Sequence, residues 1–192
     1  MGSRSLGPAV TDRPAICVFC SSSEAIDAKY LELAAQVGSR IASARYGLVT
    51  GGGRVSMMGA VARAARDGGA RTVGVIPEHL VLYEVADTDA DELVVVSTMR
   101  ARKQAMDERS AAFIALPGGI GTFEELFEVW TAASLGMHPK PVVVLDPDGF
   151  YGPLWEFLES LCRQGFVRPA AFESLHRVTS VDAAFEVLAD RL

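Results

Sequence analysis

Metal-binding and redox-active residues are scarce in this chain of 192 residues, which contains three histidines and three cysteines. The histidines lie far apart and lack the spacing of metal ligands, so we predict no structural metal. Cys17 and Cys20 form a C-x-x-C motif, but the motif lies in an apolar stretch typical of a strand. Because residues three apart on a strand point to opposite faces, we expect two buried thiols rather than a zinc or redox centre. This cysteine usage favours a reduced, cytoplasmic protein.

Signals for membranes, secretion and nucleic acids are also missing. No apolar run approaches the roughly 18 to 20 residues that a spanning helix needs, and the N-terminus lacks the apolar core of a signal peptide. The formal net charge of −6 disfavours general nucleic-acid binding. We therefore expect neither a membrane nor a nucleic acid as partner.

Neither of the two common nucleotide fingerprints is present. No G-x-G-x-x-G follows the first predicted strand, and no G-x-x-x-x-G-K-[ST] occurs anywhere. Ordinary dinucleotide binding and P-loop chemistry are therefore disfavoured.

Apolar residues make up 49% of the chain, enough for one sizeable core. Residues 1–13 are rich in Gly, Ser and Pro and predict a flexible tail, whereas residues 14–192 predict a single domain. Strands are predicted at 15–20, 46–50, 71–76, 92–96, 111–116, 141–145 and 175–178. Helices are predicted at 25–44, 56–67, 98–110, 123–135, 152–164 and 181–192. This alternation predicts an α/β fold, a Rossmann-like, doubly wound and mostly parallel sheet with helices on both faces.

Four polar or glycine-rich segments follow predicted strands, at residues 20–24, 51–59, 97–103 and 117–125. The carboxyl ends of parallel strands meet at one edge of a sheet, and ligands bind there near a topological switch point. We therefore expect these four segments to come together.

The most informative of these segments is the run P-G-G-I-G-T-F-E-E at residues 117–125, between a predicted strand and a predicted helix. Three glycines at such a turn leave backbone N–H groups bare, and together with the positive helix N-terminus they form an anion site. A pure phosphate site has little use for two carboxylates, whereas a carboxylate suits a sugar hydroxyl or a developing cation. The run predicts a ligand that is anionic at one end and reacts at a sugar.

A structural interpretation of this run is the alternative. Thr122 and Glu125 have the spacing of a capping box, which any helix can use. Glu124 fits a first-turn residue that interacts with the helix dipole. The coincidence of three glycines, a cap and two acids within nine residues favours the functional interpretation.

The segment M-R-A-R-K at residues 99–103 places three cations in the first turns of a predicted helix. Cations are unfavourable there unless an anion compensates them. Arg102 either holds a phosphate or sugar bidentately or lies on a solvated helix face, as Arg100, Lys103 and Arg109 are expected to do.

Three motifs together resemble those of the LOG ("Lonely guy") family of cytokinin riboside 5′-monophosphate phosphoribohydrolases. They are P-G-G-I-G-T-F-E-E, the upstream M-R-A-R-K, and G-G-G-R-V-S-M-M-G at residues 51–59. The resemblance covers about residues 16–167. The chain departs from the family pattern at residues 56–59, where S-M-M-G replaces G-L-M-G, and at Ser21, where many relatives carry glycine. Both departures bear on pocket shape rather than on chemistry.

The resemblance implies hydrolysis of the N-glycosidic bond of an adenosine monophosphate, ideally one with an N6-prenylated base, to give free base and ribose 5-phosphate. It places the catalytic pair on Arg102 and Glu125. The implied substrate contacts are Glu84, Arg102, Lys103, Gly119, Ile120, Gly121, Thr122, Phe123, Glu124, Glu125 and Thr131, with Gly51, Gly52 and Gly53 lining the same pocket. No cofactor is implied.

The chemistry of the residues agrees with this implication. Cleavage of the C1′–N9 bond builds positive charge on the ribose, as in glycoside hydrolysis. Glu125 then stabilises that cation, orients water, or binds ribose hydroxyls. The Gly-rich turn and Thr122 hold the 5′-phosphate.

Proteins similar to this family often carry the label lysine decarboxylase, which would imply a lysine bound to pyridoxal phosphate. The chain contains only Lys29, Lys103 and Lys140, and none has a recognisable cofactor setting. We reject that activity. A broader nucleoside 5′-monophosphate phosphoribohydrolase and a non-catalytic nucleotide or cofactor carrier are the alternatives that stay open.

A homodimer with its site near the interface is also implied by the family. The two predicted helices that carry the cationic and glycine-rich motifs are rich in large apolar residues, namely Met99, Met106, Phe127, Val129, Trp130 and Leu135. These residues form either a simple core stripe or a surface that a two-fold partner covers.

Overall fold

The computed structural model describes residues 13–82 and 85–192. The predicted tail at residues 1–13, except its last residue, and the predicted substrate contact Glu84 lie outside the described residues.

Within the described residues, seven strands form one sheet. They are β1 (Ala15–Phe19), β2 (Gly47–Thr50), β3 (Thr72–Pro77), β4 (Glu92–Val96), β5 (Ala112–Ala115), β6 (Val142–Leu145) and β7 (Leu175–Val178). Neighbouring strands are parallel and follow the order β4-β3-β2-β1-β5-β6-β7. The predicted doubly wound parallel sheet is confirmed, and its strand order reverses between β1 and β5.

The helices cover both faces of this sheet. They are α1 (Ala28–Ser43), α2 (Ser56–Asp67), α3 (Met99–Glu108), α4 (Ile120–Ser134), α5 (Gly152–Arg163), α6 (Pro169–Glu173) and α7 (Val181–Ala189), and a 3₁₀ turn spans Glu78–Leu80. Helices α1, α2 and α7 pack on one face, and α3, α4, α5 and α6 pack on the other. No helix in the described part of the chain has the length and apolarity that a membrane crossing requires.

Two apolar clusters, one on each face, stabilise the sheet. In α1, Leu33, Val37 and Ile41 recur at helical spacing and are buried against the first face. Burying each such side chain contributes roughly 1.5–3 kcal/mol. The central strands β2, β5 and β6 are buried along their whole length because both faces of the sheet are covered there, as expected for a parallel sheet.

The two cysteines of the C-x-x-C motif lie in different clusters. Cys17 packs on the α3–α4 side, Cys20 packs on the α1–α2 side, and both are buried free thiols. The prediction that their side chains point to opposite faces is confirmed. In residues 13–82 and 85–192, no three His, Cys, Asp or Glu side chains lie together in a way that could hold a metal ion.

Helix α4 begins at Ile120, three residues before the predicted start, with Gly119 as its N-cap. The capping box predicted for Thr122 and Glu125 is therefore wrong, because Thr122 already lies within the first turn. Glu124 falls beyond that turn, so its assignment as a first-turn dipole residue is wrong as well. A turn built from glycine backbone replaces the side-chain cap.

Smaller differences concern helix ends and one missed helix. Helix α1 begins at Ala28 rather than at residue 25, because the carboxylate of Asp27 accepts a hydrogen bond from the Lys29 N–H at 3.0 Å and caps the helix. The terminal helix ends at Ala189. Helix α6 was not predicted, since five residues are too few to display a helical period.

Candidate active site

The four segments expected at the sheet edge do come together. They surround a cavity of about 200 Å³, called here the edge cavity, at the carboxyl ends of β1 and β5. Its lining residues come from all four segments: Cys20, Ser21, Ser22, Ser23, Met58, Arg102, Gly119, Ile120, Gly121, Thr122 and Glu125. The predicted convergence is confirmed, and it lies at the switch point where β1 meets β5.

The glycine-rich turn forms one wall of the edge cavity. Gly118 has to be glycine because a Cβ at this position would overlap the side chain of Thr122. No side chain caps the α4 N-terminus at Gly119, and the first N–H groups of a helix have no intrahelical carbonyl partner. Residues 119–122 line the cavity, so this end of α4 suits an anionic group.

Arg102 enters the edge cavity from α3 and is almost completely buried, with 4% of its surface exposed. Its Nε donates a hydrogen bond to the carbonyl of Val75 at 3.1 Å, and its Nη2 donates to the carbonyl of Gly51 at 2.6 Å. The alternative of a solvated helix face is therefore wrong for Arg102. A buried guanidinium lining a cavity is well placed to attract an anion.

The triple glycine at residues 51–53 leaves room for the Arg102 side chain and supplies one of its hydrogen-bond acceptors. A Cβ at Gly51 would overlap the Arg102 guanidinium, and Gly52 adopts a φ of 79° that favours glycine. Gly51, Gly52 and Gly53 are buried and do not line the edge cavity. They touch the site through the Arg102 side chain.

Glu125 brings the carboxylate to the edge cavity from α4 and is partly buried there. Burial chiefly, and the nearby Glu125 carboxylate in second place, raise the pKa of the Cys20 thiol above its ordinary value. Cys20 therefore stays protonated at neutral pH, which is not the behaviour of a nucleophilic cysteine.

Lys103 joins α3 to α4 by ion pairs with both Glu124 and Glu128. Burial alone would lower the pKa of Lys103, but the hydrogen bonds that its ammonium group donates to the two carboxylates raise the pKa above its ordinary value. Its side chain is only 17% exposed, so the prediction of a solvated helix face is wrong for Lys103. Exposed Arg100 and Arg109 do follow that prediction.

A second cavity of about 630 Å³ lies between α3 and α4, next to the edge cavity. This α3–α4 groove is lined by Phe19, Lys103, Gln104, Asp107, Phe113, Glu124, Glu125, Phe127, Glu128, Val129, Thr131, Ala132, Met137 and His138. Thr131, Lys103 and Glu124 lie here rather than in the edge cavity. The predicted site residues thus divide between two cavities that meet at Glu125.

Phe123 lines neither of these two cavities, because its ring packs edge-to-face on Tyr151 at a centroid distance of 5.7 Å. Cys20, the serines at 21–23 and Met58 also line the edge cavity. They belong to the segments expected at the sheet edge, but they were not among the individual substrate contacts predicted. The serines directly follow β1 at the carboxyl edge of the sheet, so their position was the signal that could have identified them.

Comparisons with known proteins agree with the motifs. A family model described as possible lysine decarboxylase matches residues 58–188. The cytokinin riboside 5′-monophosphate phosphoribohydrolase of Mycobacterium tuberculosis is 52% identical over 174 residues, which are 91% of this chain and 92% of that protein. The Arabidopsis thaliana enzyme of the same name, LOG3, is 44% identical over 158 residues, 82% of this chain and 74% of that protein.

A solved structure extends the comparison to the fold. The molybdenum cofactor binding protein from Rippkaea orientalis superposes with a TM-score of 0.72 at 23% identity, covering 94% of this chain and 98% of that chain. At this identity the likeness shows a shared fold alone. The family model, the sequence relatives and the site motifs together show that the chain belongs to the LOG family of cytokinin riboside 5′-monophosphate phosphoribohydrolases.

Proposed function

We propose that this protein hydrolyses the N-glycosidic bond of cytokinin riboside 5′-monophosphates and releases the free base and ribose 5-phosphate. The observation that carries the proposal is the meeting of three groups at the edge cavity: the uncapped N-terminus of α4, buried Arg102, and Glu125. Relatives that bear this activity in their names, at 44% and 52% identity, support it.

The 5′-phosphate occupies the glycine-rich end of the edge cavity. Backbone N–H groups at the start of α4 and the helix dipole bind it, together with the Thr122 hydroxyl. The Arg102 guanidinium, which donates hydrogen bonds to the carbonyls of Gly51 and Val75, adds positive charge from α3. Binding energy from this remote anion positions the ribose for reaction.

Glu125 acts at the sugar. As the C1′–N9 bond breaks, positive charge develops on the ribose and the Glu125 carboxylate stabilises it. Water adds to C1′, and the departing base takes up a proton at nitrogen. The reaction needs water as its only co-reactant, so no cofactor or metal enters the proposal.

The test compares base release from three substrates: isopentenyl-AMP, AMP and isopentenyladenosine. Isopentenyl-AMP should be cleaved well, and AMP is expected as a further substrate. Isopentenyladenosine should be a very poor substrate because it lacks the phosphate that fills the anion site. Equal rates for the nucleoside and its monophosphate would contradict the phosphate assignment, and no base release from any substrate would favour a carrier of nucleotides instead.

We also propose that the protein is a homodimer and that the partner covers the α3–α4 groove. Of the six apolar residues from which a dimer was predicted, Met106, Val129 and Trp130 belong to the core, so the core-stripe interpretation is correct for these three. Met99 and Leu135 are exposed, as is Met137 in the groove. A two-fold partner would bury this surface beside Glu125, over an area on the order of 2,000 Å² in total.

Light scattering at micromolar concentration tests the dimer. The expected mass is twice that of the 20.5 kDa chain. Met137→Asp should weaken association because it places a charge in the groove, whereas Phe166→Asp, at an exposed site that lines neither cavity, should leave it unchanged. A fully active species with the mass of one chain would contradict the proposal.

Cytoplasmic localisation stays a prediction from the sequence.

A further inference from the structure

Ser56, the first residue of α2, has an unusual backbone conformation. Its φ is 50°, in the left-handed region that disfavours residues with a Cβ. Among the described residues other than glycine, it shares a positive φ only with Arg45 and Val85. Glycine would adopt this conformation without strain, so contacts around Ser56 must offset the cost, and its side chain makes one of them.

That contact joins two segments of the site. The buried Ser56 hydroxyl donates a hydrogen bond to the carbonyl of Ser23 at 2.5 Å, across 33 residues of sequence. Within the loop that follows β1, the Ser23 N–H in turn donates to Ser21 Oγ at 3.1 Å. The bond from Ser56 thus connects this loop to the start of α2, whereas the bond between Ser23 and Ser21 spans only two residues.

The anchored loop is a wall of the edge cavity. Ser21, Ser22 and Ser23 line it together with the glycine-rich turn at residues 119–122, and Met58 from α2 lines it as well. A shift of the loop therefore changes the width of the cavity at the end where an anion binds. Ser56 itself does not line the cavity, and its hydroxyl reaches the cavity wall through its bond to the loop.

We propose that Ser56 is a positioning residue that holds the serine loop at residues 21–23 against the anion end of the edge cavity and thereby sets the affinity for the 5′-phosphate. The inference rests on the proposed function for the identity of the anion. Loss of the hydroxyl should weaken binding of the phosphate-bearing substrate while leaving the bond-breaking step nearly intact.

The test uses Ser56→Ala, Ser56→Gly and a control, Ser174→Ala. The Ser174 hydroxyl also donates to a backbone carbonyl, that of Ala171 at 2.7 Å, but outside the edge cavity. For isopentenyl-AMP, both Ser56 variants should raise KM by about 2- to 12-fold, the range expected for one neutral hydrogen bond, with kcat within about twofold. The affinity for ribose 5-phosphate should decrease by a similar factor. Ser174→Ala should change neither this affinity nor the KM.

Ser56→Gly distinguishes the effect of losing the hydroxyl from the effect of backbone strain at positive φ. Glycine relieves the strain at positive φ, so this variant should melt at a higher temperature than Ser56→Ala yet show the same raised KM. If Ser56→Gly kept the wild-type KM, the residue would serve only to start α2 and the proposal would be overturned. A fall in kcat at unchanged KM would overturn it as well.

Hydrogen exchange gives a measurement that does not depend on activity. Amides at residues 21–25 should exchange faster in Ser56→Ala than in the wild type or in Ser174→Ala. Unchanged exchange would refute the anchoring role even if the enzyme is active. Conversely, absence of base release by the wild-type protein would refute the proposed function, whereas faster exchange at residues 21–25 would still support the anchor.

Discussion

At the scale of single residues, the two acidic neighbours Glu124 and Glu125 have different environments. Glu124 pairs with Lys103, whereas Glu125 lies where the edge cavity meets the α3–α4 groove. These environments support the proposal that Glu125 acts in the chemistry, while Glu124 helps to join α4 to α3.

Glu125→Gln should reduce base release by at least about a hundredfold, because it removes the charge that acts at the transition state. The amide is nearly isosteric, so the fold should persist and circular dichroism should match the wild type. Steady-state assay of base release from isopentenyl-AMP checks the effect. Glu124→Gln is the matched control and should lose much less activity; near-wild-type turnover by folded Glu125→Gln would refute the assignment.

Arg102→Lys should lower kcat/KM by roughly tenfold or more, the cost of losing charge-assisted hydrogen bonds. An ammonium group cannot reproduce the planar fork that reaches the carbonyls of Val75 and Gly51 at the same time. The exposed neighbour Arg100 provides the control, because Arg100→Lys should leave the kinetics unchanged. Equal behaviour of the two variants would place Arg102 outside the mechanism.

At the scale of elements, the start of α4 shapes the proposed anion site. The helix begins at Ile120 because the glycine backbone turns there, and Thr122 is buried against Gly118. The turn has no room for a side chain at Gly118, because a Cβ there would overlap Thr122. Since Thr122 lies in the first turn of α4, a change in the loop at Gly118 would also change the direction of the first helical N–H groups.

Gly118→Ala should therefore damage both stability and phosphate binding. The added Cβ has to displace Thr122, which we expect to cost about 1–3 kcal/mol of unfolding free energy, as for overpacking elsewhere. Chemical denaturation and ribose 5-phosphate binding measure the two effects. Gly152→Ala, at the start of α5 with open space around its Cβ position, should change neither quantity; a tolerant Gly118→Ala would show that the turn adapts.

At the scale of the whole molecule, His176 on β7 links stability to pH. Burial chiefly, and the nearby charge of Arg191, lower the pKa of His176 below its ordinary value of 6.5. The unfolded chain then binds a proton more readily than the folded chain as the pH falls through 6.5. This contribution to stability is complete above that pH and is lost below it.

The free energy of unfolding should thus decrease between about pH 7 and pH 5, and His176→Gln should make this decrease smaller. Urea denaturation at several pH values measures it. An unchanged slope in His176→Gln would assign the acid sensitivity to other groups.

The sequence by itself determined the fold class and the place of the site. Local apolar patterns define strands and helices, and β4, α2 and β7 have the predicted bounds because each is bordered by turn or capping residues. Parallel strands bring their carboxyl ends to one edge, so the convergence of the four segments follows from their order along the chain. The glycine run at residues 117–125 indicated an anion-binding turn, whereas the contact of Gly51 with the Arg102 side chain emerged only from the structure.

Only the tertiary structure decided what each charged residue does. The burial of Arg102 depends on carbonyls 51 and 27 residues away, and the ion pair of Glu124 depends on Lys103 on another helix. The hydrogen bond from Ser56 to Ser23 likewise cannot be predicted from the residues near either serine, because it joins residues 33 apart in sequence. Propensity and periodicity act over a few neighbouring positions, whereas burial and pairing of charges are set by segments that meet only after the sheet has formed.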